Sequence, residues 1–486
     1  MSSTSIVPVL IACGSAVAGP LLAAGAVQLR CWRDTPRWPA VAGLVVSLVS
    51  GVAVWALWNI RGAAIEYGPR LGGGAMLHVD GVTAVLLPFV AACLVAVIGT
   101  TPRRALDVRG TAWFLSGAAA TCGLFLTAHP LLIVALAVAA ALPVWRATRD
   151  EPGGRPAARV FAITIVPSLC CLAIGTAMML ADPPWDPGSG WIGALGGWLV
   201  AVAVLIREGV VPFHFWFPAL FAGAPFHVSL LATVPQVGSY AAVRLLIGHA
   251  DGVPNELVAL AQLAPVTAVY GGALALVQRD LRRLIGYLAF SQSALVLAGL
   301  AGTLPMELAG GLTLWVASGL SLTGIGVVAA ALEGRAGPLR LDLPQGRFWD
   351  APALAGFFLL FGLATIGLPG TLSFVADDLI IAGSLAEHLH GGILVILATV
   401  FSGIAVMRGW FGIFGGPMII DAPRHAILPR ERIVMAVLLA TVVGLGIVPG
   451  PLVRTLEQAA TTLLSKRHDA LFPGTERLPG VPDHEP

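Results

Sequence analysis

Charge is scarce in this sequence, and that scarcity excludes most classes of soluble protein. Only 11% of the 486 residues are Asp, Glu, Lys or Arg, whereas 57% are hydrophobic and the mean hydropathy is +0.87. A soluble domain carries about 25% charged residues. The net charge of +2 gives no basic surface of the kind that binds nucleic acid. The composition therefore predicts an all-α polytopic membrane protein.

Lysine is almost absent. Among the 28 basic residues a single one is a lysine, Lys466, and it lies close to the C-terminal end of the sequence. Arginine keeps its proton inside proteins, whereas a buried lysine can lose its proton near neutral pH. A lysine-based proton relay is therefore excluded from the hydrophobic part of the chain.

Motifs for an independent catalytic centre are also missing. The six cysteines show no CxxC or Cys/His spacing of the kind that holds zinc or an iron–sulfur cluster. All but Cys31 lie in apolar runs, where a free cysteine behaves as a small hydrophobic residue. Walker, dinucleotide-binding and haem-ligand patterns are not found. We expect no cofactor and no metal, and we expect any redox or ATP chemistry to belong to partner subunits.

Apolar segments recur along the whole chain, and a membrane-spanning helix needs about 20 such residues. They begin near Ser5, Trp38, Asp80, Thr111, Leu131, Val160, Trp191, Ala224, Glu256, Leu284, Met306, Ala351, Gly391 and Arg432. This spacing predicts about fourteen transmembrane helices. They form a single transmembrane domain over residues 1–464, followed by a short soluble tail over residues 465–486 that is rich in proline and charge.

Arginines are concentrated in alternate loops, which predicts an orientation. The arginine-rich loops carry Arg30, Arg33 and Arg37; Arg103, Arg104 and Arg109; Arg146, Arg149, Arg155 and Arg159; Arg279, Arg282 and Arg283; Arg424 and Arg430. Two of the other loops carry only acids, namely Asp182, Asp186, Asp251 and Glu256. The positive-inside rule places the arginine-rich loops in the cytoplasm. Both termini are then expected on the outer side of the plasma (inner) membrane.

One hydrophobic stretch, residues 207–244, contains most of the candidate functional side chains. They are Arg207, Glu208, His214, His227, Gln236 and Arg244. Polar groups within a membrane span usually face the protein interior or a water-filled path. Prolines and glycines interrupt this stretch, and a second interrupted stretch, GLPGTLSFVADD, ends in Asp377 and Asp378. Paired broken helices are typical of transporter repeats with an ion path between them. We therefore predict that these side chains form a proton path.

A structural interpretation of each candidate stays open beside the functional one. Arg207 and Glu208 are also compatible with an interfacial pair at a helix end, and Arg244 with a helix-end anchor. The two histidines are compatible with structural roles, His214 bonded to backbone and His227 at the membrane surface. The adjacent acids at 377 and 378 are compatible with a surface position.

Five motifs occur in the order that is typical of one family. They are VPFHFWFP at 211–218, Ala-Pro at 224–225, QVGSYAAVR at 236–244, DLRRLIGYLAFSQS at 280–293 and GLPGT at 367–371. These motifs resemble those of the antiporter-like proton-translocating membrane subunits of respiratory complex I, the M and N types. Mrp-type cation/proton antiporters and energy-converting hydrogenases have related subunits. The resemblance covers about residues 112–415. It implies fourteen helices with two inverted five-helix repeats, each containing a broken helix, and a line of titratable groups at mid-membrane.

The family's relay positions are only partly matched. Its helix-five glutamate falls near Val138, its helix-seven lysine on Arg207, and its helix-eight lysine on Gln236. Gln292 replaces a histidine, whereas the helix-twelve acid is matched by Asp377. The resemblance therefore implies the family's fold with a degenerate proton path. Because an unpaired buried charge is costly, we expect Arg207 to pair with Glu208 or with an acid from another helix.

Three functions remain open from the sequence. The first is a membrane subunit of a redox-driven proton-translocating complex similar to NADH-quinone oxidoreductase, whose partners are other membrane and redox subunits. The second is a subunit of an ion-gradient-driven transporter, either of the Mrp type or of an inorganic-carbon uptake complex. The third is a non-conducting structural subunit. In the first two cases the species moved are protons or monovalent cations, and in all three the lipid bilayer surrounds the chain.

Overall fold

Helices form nearly all of the structure. The computed structural model describes residues 6–32, 34–71, 74–183, 190–247, 254–342, 344–387, 389–417 and 427–471. Its α-helices are α1 (Val7–Ala26), α2 (Arg37–Arg61), α3 (Gly81–Thr100), α4 (Val108–Phe125), α5 (Pro130–Asp150), α6 (Arg155–Ala181), α7 (Trp191–Arg207), α8 (Trp216–Gly223), α9 (Phe226–Thr233), α10 (Val237–Ala241), α11 (Pro254–Leu276), α12 (Leu281–Leu300), α13 (Pro305–Ala336), α14 (Pro352–Ala364), α15 (Leu372–Glu387), α16 (Leu389–Phe414), α17 (Pro429–Ile447) and α18 (Gly450–Leu471). Predictions that involve Arg33, Asp186, Asp251, Arg424 and the tail beyond residue 471 lie outside the described residues.

The predicted multi-span architecture is confirmed. Within the described ranges, nine helices are long and apolar enough to cross a membrane: α1, α2, α3, α5, α6, α11, α12, α13 and α16. The consecutive helices α17 and α18 would add a tenth span, although a bend of 71° separates them. The span predicted near Ala224 consists instead of α9, α10 and a π-helical turn, none of which is long enough alone. The count of fourteen therefore stays a prediction.

The centre of the bundle is formed by α13, α12 and α3. Of the most apolar 18 residues in α13, 94% are buried, against 33% in α6 and in α16 at the periphery. Glycines allow neighbours to approach α13 closely, as at Gly319 beside Phe89 and at Gly324 beside Phe361. Without a hydrophobic driving force between helices in lipid, small residues at the crossings provide the packing.

Helices α6 and α7 cross at two glycines. A Cβ atom built on Gly175 would lie 2.7 Å from the carbonyl oxygen of Gly196, and one built on Gly196 would lie 2.8 Å from the carbonyl oxygen of Gly175. We expect Gly196→Ala to lower the free energy of unfolding by about 1 to 3 kcal/mol, because the helices must move apart. Thermal unfolding in detergent measures the effect. The matched control is Gly14→Ala in α1, where nothing lies within 4 Å of the new methyl group. Equal behaviour of the two variants would contradict this crossing.

A β-hairpin joins α2 to α3, and the all-α prediction missed it. Its strands are β1 (Ile65–Leu71) and β2 (Gly74–Val79), antiparallel, with Ile65 opposite Val79. The glycines in this stretch and the lack of regular alternation between apolar and polar residues hid the strands. The hairpin also contacts the loop between α4 and α5, since the His78 N–H donates to the Leu126 carbonyl (2.9 Å).

Alternate loops meet at the same end of the bundle. A surface cleft of about 470 Å³ is lined by residues 151–153, 222–224, 280, 282, 283, 333, 338 and 339, so the loops after α5, α8, α11 and α13 lie together. Nearby, Arg335 at the end of α13 pairs with Glu431 at the start of α17 (2.5 Å). The β-hairpin belongs to the other set of loops. This arrangement supports the alternation that the arginine distribution predicts.

Candidate functional site

A helix break in the first interrupted stretch positions Arg207 and Glu208 inside the bundle. Helix α7 ends at Arg207, and Gly209 adopts a positive φ of 74°, which an L side chain rarely adopts. The indole N–H of Trp216, at the start of α8, donates to the Ile206 carbonyl (3.3 Å) and so satisfies one of the carbonyls freed at the end of α7. Arg207 is 6% exposed and Glu208 is 2% exposed. Both side chains are therefore interior, as predicted.

A second break lies opposite the first one. Pro235 cannot continue the hydrogen bonding of α9, and Gln236 follows it with a positive φ of 44° before α10 begins. Among the described residues Gln236 is the one non-glycine with a positive φ. This conformation turns the chain so that the first N–H groups of α10 face the Glu208 carboxylate.

Glu208 is the centre of a buried polar cluster. Its Oε1 accepts the Ser239 N–H (2.8 Å), and its Oε2 accepts the Ser293 hydroxyl. The Ser239 hydroxyl in turn donates to Oε1 of Gln236 (3.2 Å). We call Glu208, Gln236, Ser239 and Ser293 the Glu208 cluster. It joins residues from α10 and α12 and from both helix breaks, and it provides hydroxyl groups that can both accept and donate a proton.

Arg207 does not form the predicted salt bridge. In the described part of the chain no acidic oxygen lies within the 4.0 Å that defines an ion pair with its guanidinium, and its Nη1 has no hydrogen-bond partner. The prediction was wrong because Glu208 directs its carboxylate toward Ser239 and Ser293. The buried positive charge therefore lies next to a carboxylate that is bound elsewhere.

The α5 position that faces Arg207 is Ala137, one residue before the predicted one. Val138 is 45% exposed on the outer face of α5, whereas Ala137 is 1% exposed. Ala137 lines a small cavity together with Arg207 and Gly238. Neither residue can ionise, so the family's helix-five acid has no equivalent at this place.

The two predicted histidines are buried among aromatic rings. His214, 6% exposed, packs against Tyr270 and Phe290, with ring centroids 5.3 and 5.4 Å away. Its Nδ1 has no hydrogen-bond partner. His227, 4% exposed, packs against Phe114 at 5.7 Å. Neither ring has a hydrogen bond to the Glu208 cluster within the described ranges. The structure therefore places both histidines inside the bundle but outside this cluster.

Arg244 lies apart from the Glu208 cluster and anchors α3. Its Nη1 and Nη2 donate to the two carboxylate oxygens of Asp80 (2.7 and 2.9 Å). Its Nη2 also donates to Thr83 (2.9 Å), and its Nε donates to the Tyr240 hydroxyl (3.0 Å). Asp80 precedes α3 and follows the hairpin. This geometry agrees with the helix-end anchor that the sequence left open for Arg244.

The two adjacent acids of α15 point in different directions. Asp377 is 7% exposed, and its Oδ1 has no hydrogen-bond partner. It lies over the GLPG break, where a Cβ atom on Gly367 would come within 2.6 Å of Oδ2 of Asp377. Asp378 is exposed on the outer face of the same helix. Successive residues of a helix lie about 100° apart around its axis, so one of the two carboxyl groups faces the interior and the other faces outward.

Glu307 is a buried acid that the sequence analysis missed. It is 6% exposed, and its Oε1 accepts the Ser384 hydroxyl (2.6 Å), which links α13 to α15. The sequence did indicate it, because Glu307 is an acid that lies two residues after Pro305, at the start of a long apolar segment. The interior also holds buried polar groups without partners, including Oε1 of Gln292 and the hydroxyls of Ser321 and Thr323.

Metal-binding clusters are not found in the described ranges, where no group of three or more His, Cys, Asp or Glu residues could hold an ion. The six cysteines are all free thiols. The chemistry that the site offers is therefore proton binding at carboxyl groups and hydrogen bonding at hydroxyl and amide groups.

Comparison with known proteins agrees with the motifs. Residues 187–403 match a family model described as NADH:quinone oxidoreductase/Mrp antiporter, transmembrane. The chain is similar to NAD(P)H-quinone oxidoreductase chain 4 of Acaryochloris marina, with 29% identity over 287 residues, which are 55% of this chain and 53% of the relative. The chain thus spans about half the length of the curated relatives it matches.

Solved structures share the fold. A chain of respiratory complex I from Thermus thermophilus superposes with a TM-score of 0.83 at 21% identity, covering 94% of this chain and 99% of the other. A chain of the Mrp complex from Dietzia sp. gives a TM-score of 0.83 at 19% identity, covering 97% and 100%. At these identities the similarity shows the fold alone.

Proposed function

We propose that this chain is a membrane subunit of the NADH:quinone oxidoreductase/Mrp antiporter-like family, whose model matches residues 187–403, and that it translocates protons within a multisubunit complex. The proposed driving reaction is electron transfer in partner redox subunits. The observation that carries the proposal is the Glu208 cluster. A titratable carboxyl group is buried where two helix breaks meet, and the Ser239 backbone N–H and the Ser293 hydroxyl donate to its two oxygens.

Glu208 takes over the proton-carrying role that a lysine has in the resembling family. Arg207 retains its proton and supplies a fixed positive field, which makes the ionised form of the neighbouring carboxyl more favourable. Ser293 can pass a proton because a hydroxyl group both donates and accepts. Gln236 does not titrate, and it orients Ser239 through their hydrogen bond. The route is degenerate because two of its positions, 207 and 236, hold groups that do not exchange protons.

Asp377 is proposed to be the second proton-carrying acid. It lies over the break between α14 and α15, as Glu208 lies at the break between α7 and α8. This pairing of one buried acid with each break supports two inverted five-helix repeats within a fourteen-helix domain. His214 and His227 are proposed to be accessory groups of the first route. Arg244 is bonded to Asp80 and Asp378 is exposed, so neither is proposed to carry protons on this route.

The proposed orientation places the arginine-rich end in the cytoplasm and both termini outside the plasma membrane. The clustering of alternate loops at the surface cleft described above supports it. Reaction of single introduced cysteines in whole cells with a membrane-impermeant maleimide tests it. A cysteine at residue 153, in the cleft, should stay unlabelled, whereas one at residue 70, in the hairpin, should be labelled.

A second candidate is a subunit of an ion-gradient-driven transporter, either Mrp-type or for inorganic-carbon uptake, without redox partners. One observation favours it, because Arg207 and Gln236 cannot cycle protons and the redox-driven relay is therefore incomplete. Purification from native membranes separates the two candidates. Co-purification of subunits that carry flavin or iron–sulfur absorption supports the first candidate. A complex of membrane subunits without such absorption supports the second.

Proton transport is expected to depend on the charge of Glu208. We expect Glu208→Gln to lower proton flux about tenfold or more, because the amide keeps the shape of the side chain but cannot carry a proton. Flux is measured as acidification inside vesicles that contain the intact complex. Glu208→Asp, which keeps a carboxyl group, should retain part of the flux.

The matched control is Asp342→Asn, which removes an exposed carboxylate paired with Arg340. It should leave flux unchanged. If Glu208→Gln transports protons as well as the wild type does, the non-conducting structural function becomes the better account of this subunit, and the proposed route is wrong.

A further inference from the structure

Three arginines gather at the arginine-rich end of the bundle, where α3 packs against both α2 and α17. Arg37 is the first residue of α2, Arg103 lies just after α3, and Arg430 lies in the first turn of α17. The Arg37 guanidinium donates from Nη2 to the Thr101 carbonyl at the end of α3. Its charge is repelled by those of Arg103 and Arg430. We call Arg37, Arg103 and Arg430 the arginine triad.

Acidic groups do not balance the charge of this triad. Glu431 is the acid that attracts Arg37, but its carboxylate is already paired with Arg335 (2.5 Å). Asp34 and Asp107 lie in the adjoining loops and are exposed. Among the described residues neither of these two acids forms an ion pair with the triad. The triad and Arg335 thus share one carboxylate, and an excess of positive charge is left.

Buried donors of the triad also lack partners. The Arg37 side chain is 9% exposed, and its Nε is buried without a hydrogen-bond partner. The Nε of Arg430 is buried without a partner as well. A water molecule would accept a hydrogen bond from either group but would leave the repulsion between like charges in place. An anion meets both requirements, because it accepts the hydrogen bonds and offsets the charge.

An apolar surface begins directly beside the triad. On the otherwise buried helix α3, Ala92, Val95 and Gly99 form a partly exposed stripe on one face. Gly99 lies two residues before Thr101, and a Cβ atom built on it would meet nothing within 4 Å. Trp38, next to Arg37 on α2, is 63% exposed, and tryptophan is enriched at the level of lipid headgroups. A molecule with a negative head and an apolar tail matches both parts of this surface.

We propose that the arginine triad binds the phosphate of an anionic phospholipid, whose acyl chains lie along the apolar stripe of α3. A phosphodiester presents oxygens to more than one guanidinium at a time, and arginine suits this geometry. Basic pockets between spanning helices bind lipid headgroups through the same chemistry. A free phosphate would make the polar contacts but would leave the apolar stripe unused, so the lipid fits both features. The site does not depend on whether the protein moves protons.

Thermal unfolding of the purified full-length chain in a neutral detergent tests the site. Phosphatidylglycerol, phosphatidylcholine and inorganic phosphate are added separately at constant ionic strength, and a ligand that binds only the folded state raises Tm. We expect a saturable rise of about 2 to 5 °C with phosphatidylglycerol and of less than about 1 °C with the other two. No rise with phosphatidylglycerol, or an equal rise with phosphatidylcholine, overturns the proposal. An equal rise with inorganic phosphate identifies a site for soluble anions and overturns the lipid assignment.

A matched pair of variants on α17 locates the effect. Arg430→Gln removes one charge of the triad, so the apparent affinity for phosphatidylglycerol should fall about tenfold or more, because a hydrogen bond between charged groups is lost. Arg432→Gln removes an exposed charge from the same end of the helix, and it should keep the wild-type affinity. Arg103→Gln should act like Arg430→Gln, and it decides the question if Arg430→Gln does not fold. An equal response of Arg430→Gln and Arg432→Gln means that the lipid is not held by the triad, and the proposal is then wrong.

Native mass spectrometry gives a direct readout of the bound lipid. The wild-type chain and Arg432→Gln should each retain one phosphatidylglycerol after weakly held lipid has been stripped, whereas Arg430→Gln should retain none. Retention of the same lipid by Arg430→Gln would contradict the proposal.

Discussion

Arg244→Ala is expected to lower the free energy of unfolding by about 3 to 5 kcal/mol, because the change removes a buried guanidinium and leaves the half-buried Asp80 carboxylate without its arginine partner. Arg244 is 5% exposed and binds both oxygens of Asp80 at 2.7 and 2.9 Å. It also holds Thr83 and Tyr240. The two paired residues are 164 positions apart in the sequence. The loss of these contacts therefore detaches the start of α3, a central helix, from the π-helical turn that follows α10.

Equilibrium unfolding in mild detergent measures this effect, and Arg340→Ala provides the control. Arg340 pairs with Asp342 at 2.5 Å, but its side chain is 72% exposed, and exposed pairs contribute at most about 1 kcal/mol. A double-mutant cycle with Asp80→Ala isolates the pair itself. If Arg244→Ala destabilises no more than Arg340→Ala, the Asp80 pair is not a main support of the fold.

Arg282→Ala is expected to lower the free energy of unfolding by about 2 to 4 kcal/mol. Proton flux should fall as well, because less of the protein is correctly folded. The Arg282 Nε donates to both oxygens of Glu333 (3.0 and 2.8 Å). Its Nη1 donates to the carbonyls of Ala224 (2.7 Å) and Phe221 (3.3 Å) at the C-terminal end of α8. The guanidinium also lies 4.7 Å from the centroid of the Phe226 ring. One side chain thus fixes the end of the broken helix to α13.

The neighbouring Arg283→Ala is the matched control, because Arg283 is 59% exposed and reaches Asp280 only at 3.4 Å. It should change stability by less than about 1 kcal/mol. Arg282→Lys should recover only part of the loss, since an ammonium group cannot reproduce the planar set of donors. The joint loss of stability and flux expected for Arg282→Ala differs from the result expected for Glu208→Gln, which should lose flux while the fold stays stable. Arg282→Ala with wild-type stability would show that this clamp does not hold α8.

The helices and the interior position of the polar residues could be predicted from the sequence because both depend on local composition. Apolar runs of about 20 residues mark spans, and prolines and glycines mark the breaks at 209–215 and at 235–236. Arg207 and Glu208 were predicted to be buried, and they are. The hairpin was missed because its glycine-rich stretch does not alternate between apolar and polar residues.

Which side chains contact each other was less predictable, because these contacts depend on the rotation of each helix about its axis and on the packing of segments that are distant in the sequence. A shift of one position around α5 separates Val138 on the outer face from Ala137 beside Arg207. Glu208 follows Arg207 in the sequence, yet its partners Ser239 and Ser293 lie 31 and 85 positions away. Sequence proximity suggested a salt bridge, whereas the packing of α7, α10 and α12 produced hydrogen bonds in its place.

The hydrogen bond from the Ser239 N–H to Glu208 comes from the main chain, so any residue except proline at position 239 can provide it. What the contact requires is the break at Pro235 and the left-handed conformation of Gln236, which glycine would adopt with less strain. A main-chain N–H that binds a carboxylate therefore places almost no constraint on the amino acid at its own position. Divergent relatives could exchange the residue at 239 freely and still bind an acid at 208, provided that the chain turns at the same place.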